Sequence, residues 1–99
     1  MINTSFLKRI IEDAIETYNK FHKPEAEAKL IEIRNSNVFI VEFNGVFCFT
    51  CGVRDWIEDL VYIFKSMGYD VELIDMIESG DRSRTGIFKY IGESSGRRD

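Results

Sequence analysis

Val38-Phe-Ile-Val-Glu-Phe43, Asn44-Gly45 and Val46-Phe-Cys-Phe-Thr50 follow one another without a break. Two runs rich in β-branched and aromatic residues flank an Asn-Gly pair. That is the pattern of a type I′ hairpin, whose two central residues both need positive φ. A strand over residues 27–34, reached through Asn35-Ser36-Asn37, adds a third member, because these turn residues tolerate left-handed geometry. A three-stranded antiparallel meander is the expectation.

Helices flank the meander. Over residues 5–22, Phe6, Ile10, Ala14 and Tyr18 form one i,i+4 row, Leu7, Ile11 and Ile15 its neighbour, and Phe21 continues the stripe. Thr4 or Ser5 caps its start, and Pro24 stops it by pushing the preceding residue out of helical space. His22 falls where a cation meets the negative end of the helix dipole. After Gly52, Asp55-Trp-Ile-Glu58 has capping-box spacing. Ile57, Leu60, Val61, Phe64 and Met67 make a second apolar stripe, and Gly68 is placed to close the helix in a left-handed conformation. Residues 69–77 and 86–91 read as two further strands joined by a loop over 78–85.

The expected fold is therefore α+β: a two-layer α-β-β-β-α-β-β domain with a mainly antiparallel sheet and both helices on one face. One domain spans residues 1–91, and 92–99 is a flexible polar tail without an apolar residue. Two helices cover only one sheet face. Some of Phe39, Phe43, Phe47, Phe49, Phe88 and Tyr90 would then lie on the other, and a second copy of the chain is the simplest cover for an apolar face. A homodimer is expected.

Composition narrows the setting. The chain has 99 residues, 44% of them hydrophobic and 30% charged, which excludes a disordered chain or a disulfide scaffold as a whole. Net charge is −4, a poor match to a protein that coats DNA by displacing counterions. Residues 51–80 carry seven acids against two bases, and residues 81–99 five bases against three acids. Such asymmetry favours self-association or a partner of mixed charge. There is no glutamine, isoleucine occurs 13 times and alanine three, usage that fits an AT-rich genome and heat tolerance. No apolar run reaches the ~20 residues of a membrane span. The start lacks the regions of a signal peptide, so an intracellular protein is expected, in the host cytoplasm if viral.

Three patterns carry chemistry. Cys48-Phe-Thr-Cys51 has thiol-redox spacing, yet a lowered thiol pKa needs a helix N-terminus, and buried free cysteines on a strand are the simpler account. With only His22 in addition, the chain offers no zinc ligand set of its own, so neither metal nor cofactor is expected. Gly80-Asp-Arg-Ser-Arg-Thr-Gly86 places Arg82, Ser83 and Arg84 where guanidinium groups and a hydroxyl suit a phosphate or carboxylate. With Lys89, Arg97 and Arg98 they compose a basic patch for nucleic acid or phosphate, beside Phe88 or Tyr90 as stacking faces. Glu58 and Asp59 read as helix-start residues, and Glu72 and Asp75 as a solvated strand face, so no acid–base pair stands out.

With its Ile-rich, Gln-free usage, its length and stretches such as Val38-Phe-Ile-Val-Glu-Phe43, the chain resembles the small proteins of unknown function of filamentous and rod-shaped DNA viruses of acidophilic hyperthermophilic archaea. That resemblance implies tolerance of heat and acid and assigns no site. Cys48-Phe49, the helix from Trp56 to Met67, Val71-Glu72 and Gly80-Asp81 are also similar in order to the C-terminal half of small-ligand-binding domains named after vinyl reductases. The later cysteines of that pattern are missing, with Met76 and Arg84 near their places, and its N-terminal half has no counterpart here. The leading expectation is a non-enzymatic interaction module. A nucleic-acid or phosphate binder and a Cys48/Cys51 ligand or redox protein are the alternatives.

Overall fold

A computed structural model describes residues 4–22, 25–45, 53–80 and 83–93. The elements are α1 (Thr4–His22), β1 (Ala26–Arg34), β2 (Val38–Gly45), α2 (Val53–Ser66), β3 (Tyr69–Gly80) and β4 (Ser83–Glu93). The strands form one antiparallel sheet in the order β1-β2-β4-β3. The fold is α+β, with two helices packed against a four-stranded antiparallel sheet.

Helix α1 buries Leu7, Ile10, Ile11, Ala14, Ile15 and Tyr18. The stripe stops there: Phe6 is half exposed against the edge of the Tyr69 ring, and Phe21 is exposed. The β1–β2 reversal falls on Asn35 and Ser36, which both take positive φ (54° and 69°). Gly68, at φ 97°, donates its N–H to the Lys65 carbonyl and ends α2 as the sequence predicts.

The Asn44-Gly45 turn is not formed. Asn44 pairs with Glu27 on one side and Ser83 on the other, and Gly45 pairs with Ala26. β4 holds the edge of β2 that a hairpin partner over 46–50 would need, so β2 does not open a meander with the next run. The predicted third strand itself lies outside the described residues, as do Cys48, Cys51, Phe47 and Phe49. Long-range pairing prevails because it stacks Phe88 of β4 on Phe39 of β2, with ring centroids 5.3 Å apart and planes 11° apart. Phe64 and Tyr18 close on this pair of strands from the helices, at 5.5 Å from Phe39 and 5.4 Å from Phe43.

Alternation along the strands then corrects the expected aromatic open face. Phe39, Phe43, Phe88 and Tyr90 all point into the core beneath the helices. The loop predicted over 78–85 is also mostly strand, since β3 runs to Gly80 and β4 begins at Ser83. Its alternating charges and hydroxyls carried no apolar period to mark it. At the other end, β4 continues through Gly92 and Glu93, two residues into the segment read as tail.

Candidate interaction face

Residues between the core positions point to the side of the sheet away from the helices. The register aligns them in rows across the strands. One row is Arg34, Val38, Lys89 and Glu72. The next is Glu32, Ile40, Ile87 and Asp75, and the third Lys29, Glu42, Thr85 and Ile77. Among the described residues no element packs on this face. Ile40 and Ile87 form its centre, Ile40 only 7% exposed among its neighbours, while Ile77 and Ile91 stand 46% and 56% exposed. Arg34 and Glu32 are ion-paired on β1, Nε to Oε2.

Of the basic patch read from sequence, the structure describes Ser83, Arg84 and Lys89 and sets Arg84 and Lys89 on opposite faces of the sheet. Arg84 faces the helix side of the sheet. Its guanidinium donates to the carbonyls of Gly80 (3.2 Å) and Ser83 (2.9 Å) and lies 3.4 Å from Glu78 Oε2. That group clamps the β3–β4 turn. Ser83 Oγ donates to Asn44 Oδ1 across the β2–β4 ladder. Lys89 lies on the open face, five residues or about 17 Å along the strand from Arg84. Arg82, Arg97 and Arg98 lie outside the described residues.

Arg84→Ala separates the clamp from an anion site. Loss of charged hydrogen bonds to two carbonyls, and of the ion pair with Glu78, is expected to cost about 1.5 kcal/mol, a fall of roughly 6–12 °C in Tm for a domain this size. Thermal denaturation measures it. An unchanged Tm together with lost phosphate retention would restore the binding role.

His22 has a partner that sequence reading missed. Its Nε2 lies 2.5 Å from Asp59 Oδ2 on α2, and its ring sits between Tyr18 (4.3 Å) and Trp56 (5.1 Å). Tyr18 Oη donates to the Trp56 carbonyl at 2.9 Å. The cluster joins the end of α1 to the start of α2, so His22 ties two helices besides ending one. No sequence signal marks a pair 37 residues apart. Asn19, which belongs to no motif, was missed likewise. Its amide donates to the Ala28 carbonyl (3.2 Å) and accepts from the Ala28 N–H (2.7 Å). It thereby occupies backbone groups on the edge of β1 that no described strand pairs. The Tyr90 hydroxyl is held above its ordinary pKa, first by burial and then by the charges of Glu93 and Tyr69.

Among the described residues no three His, Cys, Asp or Glu side chains gather as a metal site, and no helix is long and apolar enough to cross a membrane. The fold and face define the class: a two-layer α+β domain whose antiparallel sheet, among the described residues, is covered by helices on one side. No family model, curated protein or solved structure matches the chain.

Proposed function

We propose that the protein is a non-enzymatic interaction module that self-associates through the open face of its sheet. The observation that supports this is the aliphatic centre of that face, Ile40 and Ile87, continued by the half-exposed Ile77. An antiparallel sheet face left to water normally carries polar residues at such alternate positions. Isoleucines there serve a surface that is buried in use. Two of the chemistry-bearing groups are occupied in holding the fold, Arg84 in its turn and His22 between the helices. A heat-tolerant viral setting, implied by resemblance, belongs to this reading, since a small chain gains core by pairing with itself.

Sedimentation equilibrium tests it. The parent chain is expected to run as a dimer at tens of micromolar. Ile77→Lys removes an isoleucine whose burial is worth about 1.5 kcal/mol, so it is expected to weaken association at least about tenfold. Far-UV circular dichroism is expected to stay unchanged. A monomeric parent, or a variant that dimerises like the parent, overturns the proposal.

A further inference from the structure

We infer that the second copy docks with its two-fold axis running along the strands, so that Arg34 of each copy meets the partner's Glu72. This rests on the self-association proposed above and adds the arrangement. The rows of the open face decide it. Two sheets packed face to face keep their strands nearly aligned, within about 30°, which leaves two simple two-fold axes in the interface plane. One runs along the strands between β2 and β4, and the other runs across them through the middle row.

With the axis along the strands, each row meets the same row of the partner with its order reversed. In the middle row, Ile40 then lies over the partner's Ile87 twice, at the centre of the contact. In the first row, Arg34 lies over the partner's Glu72, again twice. In the third row, the stem of Lys29 covers the partner's Ile77 while its ammonium reaches the rim. Glu32 comes opposite the partner's Asp75. That unfavourable term is moderated because Arg34 already pairs with Glu32 on its own strand.

With the axis across the strands, the first row meets the third and the middle row meets itself. Arg34 would then oppose the partner's Lys29 twice, Glu32 the partner's Glu32, and Asp75 the partner's Asp75. The Arg34–Glu32 pair on each strand moderates the Glu32 contact here as well, but no row of this arrangement sets a cation against a partner's carboxylate. Like charges placed face to face in an interface disfavour that pairing. The size of the face is compatible with a real contact. Four strands at about 4.8 Å spacing and about seven residues of length make a surface roughly 19 by 24 Å before side-chain relief. This falls at the low end of specific interfaces, consistent with micromolar dissociation.

Zero-length cross-linking tests the arrangement without relying on stability. Arg34 and Glu72 sit on opposite edges of one sheet, three strand spacings or about 14 Å apart, beyond the reach of a direct amide bond. In Arg34→Lys, a carbodiimide activates the Glu72 carboxylate, and the amine at position 34 displaces the activating group to leave an amide. Mass spectrometry of the dimer band is expected to show that link between two chains. In parallel, Arg34→Glu and Glu72→Arg are each expected to weaken the dimer about tenfold. The double variant is expected to return within about threefold of the parent.

Tighter association of Arg34→Glu would mean that position 34 faces Lys29, and would overturn the arrangement. A dimer that Ile77→Lys dissociates, but that shows no 34–72 link and no charge-swap rescue, overturns the arrangement and leaves the open-face reading standing. A parent chain that stays monomeric overturns both.

Discussion

Phe88→Ala is expected to lower the melting temperature by roughly 16–32 °C. Phe88 is fully buried on β4, stacked on Phe39 at 5.3 Å and tilted against Phe43 at 6.2 Å. Truncating a buried phenylalanine costs about 4 kcal/mol, because the lost transfer free energy is joined by that of the cavity left behind. A domain of this length holds only about 5–15 kcal/mol in all, and each kcal/mol moves Tm by about 4–8 °C. The effect should be large because β4 lies between β2 and β3, and Phe88 pairs across to both Phe39 and Leu73. Its side chain therefore helps decide that β4, rather than the run after Gly45, takes the edge of β2. Ile91→Ala on the same strand is the control. That isoleucine is 56% exposed, and its loss should move Tm by no more than about 4 °C. Calorimetry of the two variants checks both. A shift under about 8 °C for Phe88→Ala would remove it from the centre of the core.

Much of the fold was legible because helix signals are local. The i,i+4 rows from Leu7 to Tyr18 and the stripe Ile57, Leu60 and Phe64 are the buried faces of α1 and α2. The left-handed residues Asn35, Ser36 and Gly68 stand where turn chemistry puts them. Strand order was not legible. Nothing in Val38–Phe43 says which later segment takes its second edge, and a strand of β-branched and aromatic residues accepts several partners. The error spread to function, because face assignment depends on partner and register. Read as a meander, the chain appeared to put aromatics on the uncovered side. In the folded sheet Phe39, Phe43 and Phe88 share one face with the helices, and the other carries Ile40, Ile87 and Ile77 among charged residues.

The candidate residues show the same limit. Arg84 was singled out for its neighbours in sequence, and its role comes from Glu78 and Gly80 across a turn that composition described as loop. Asn19 carried no motif at all, and Asp59 was read only as a helix-start residue. They act on distant elements, Asn19 through a pair of hydrogen bonds to the edge of β1 and Asp59 through His22. Such contacts specify the assembly of pieces whose internal structure is already set by local pattern. The open-face rows are a third case, since no single strand contains one: each row exists only once β4 lies between β2 and β3.

Gly45→Asn tests the point at which local signal and long-range pairing disagree. In a type I′ turn, asparagine at the second central position costs little, because it visits the left-handed region readily. Gly45 is instead a paired residue at the end of β2, with φ at 146°. A Cβ there would come within 2.1 Å of the Glu25 carbonyl oxygen and 2.9 Å of Ala26 Cα. Both obstacles are backbone, so no rotamer change relieves them. Strain at an unfavourable φ and forced displacement of the start of β1 together are expected to cost about 3 kcal/mol. That corresponds to a fall of roughly 12–24 °C in Tm. Asn44→Gly is the companion variant. It loses the hydrogen bond from Ser83 and should cost about 1 kcal/mol, whereas a type I′ turn accepts Gly-Gly readily. Thermal melts of the two variants discriminate between the structures. If Gly45→Asn melts within about 4 °C of the parent, Gly45 belongs to a turn, β2 has a free edge after Phe43, and the pairing of β2 with β4 at Asn44 is wrong.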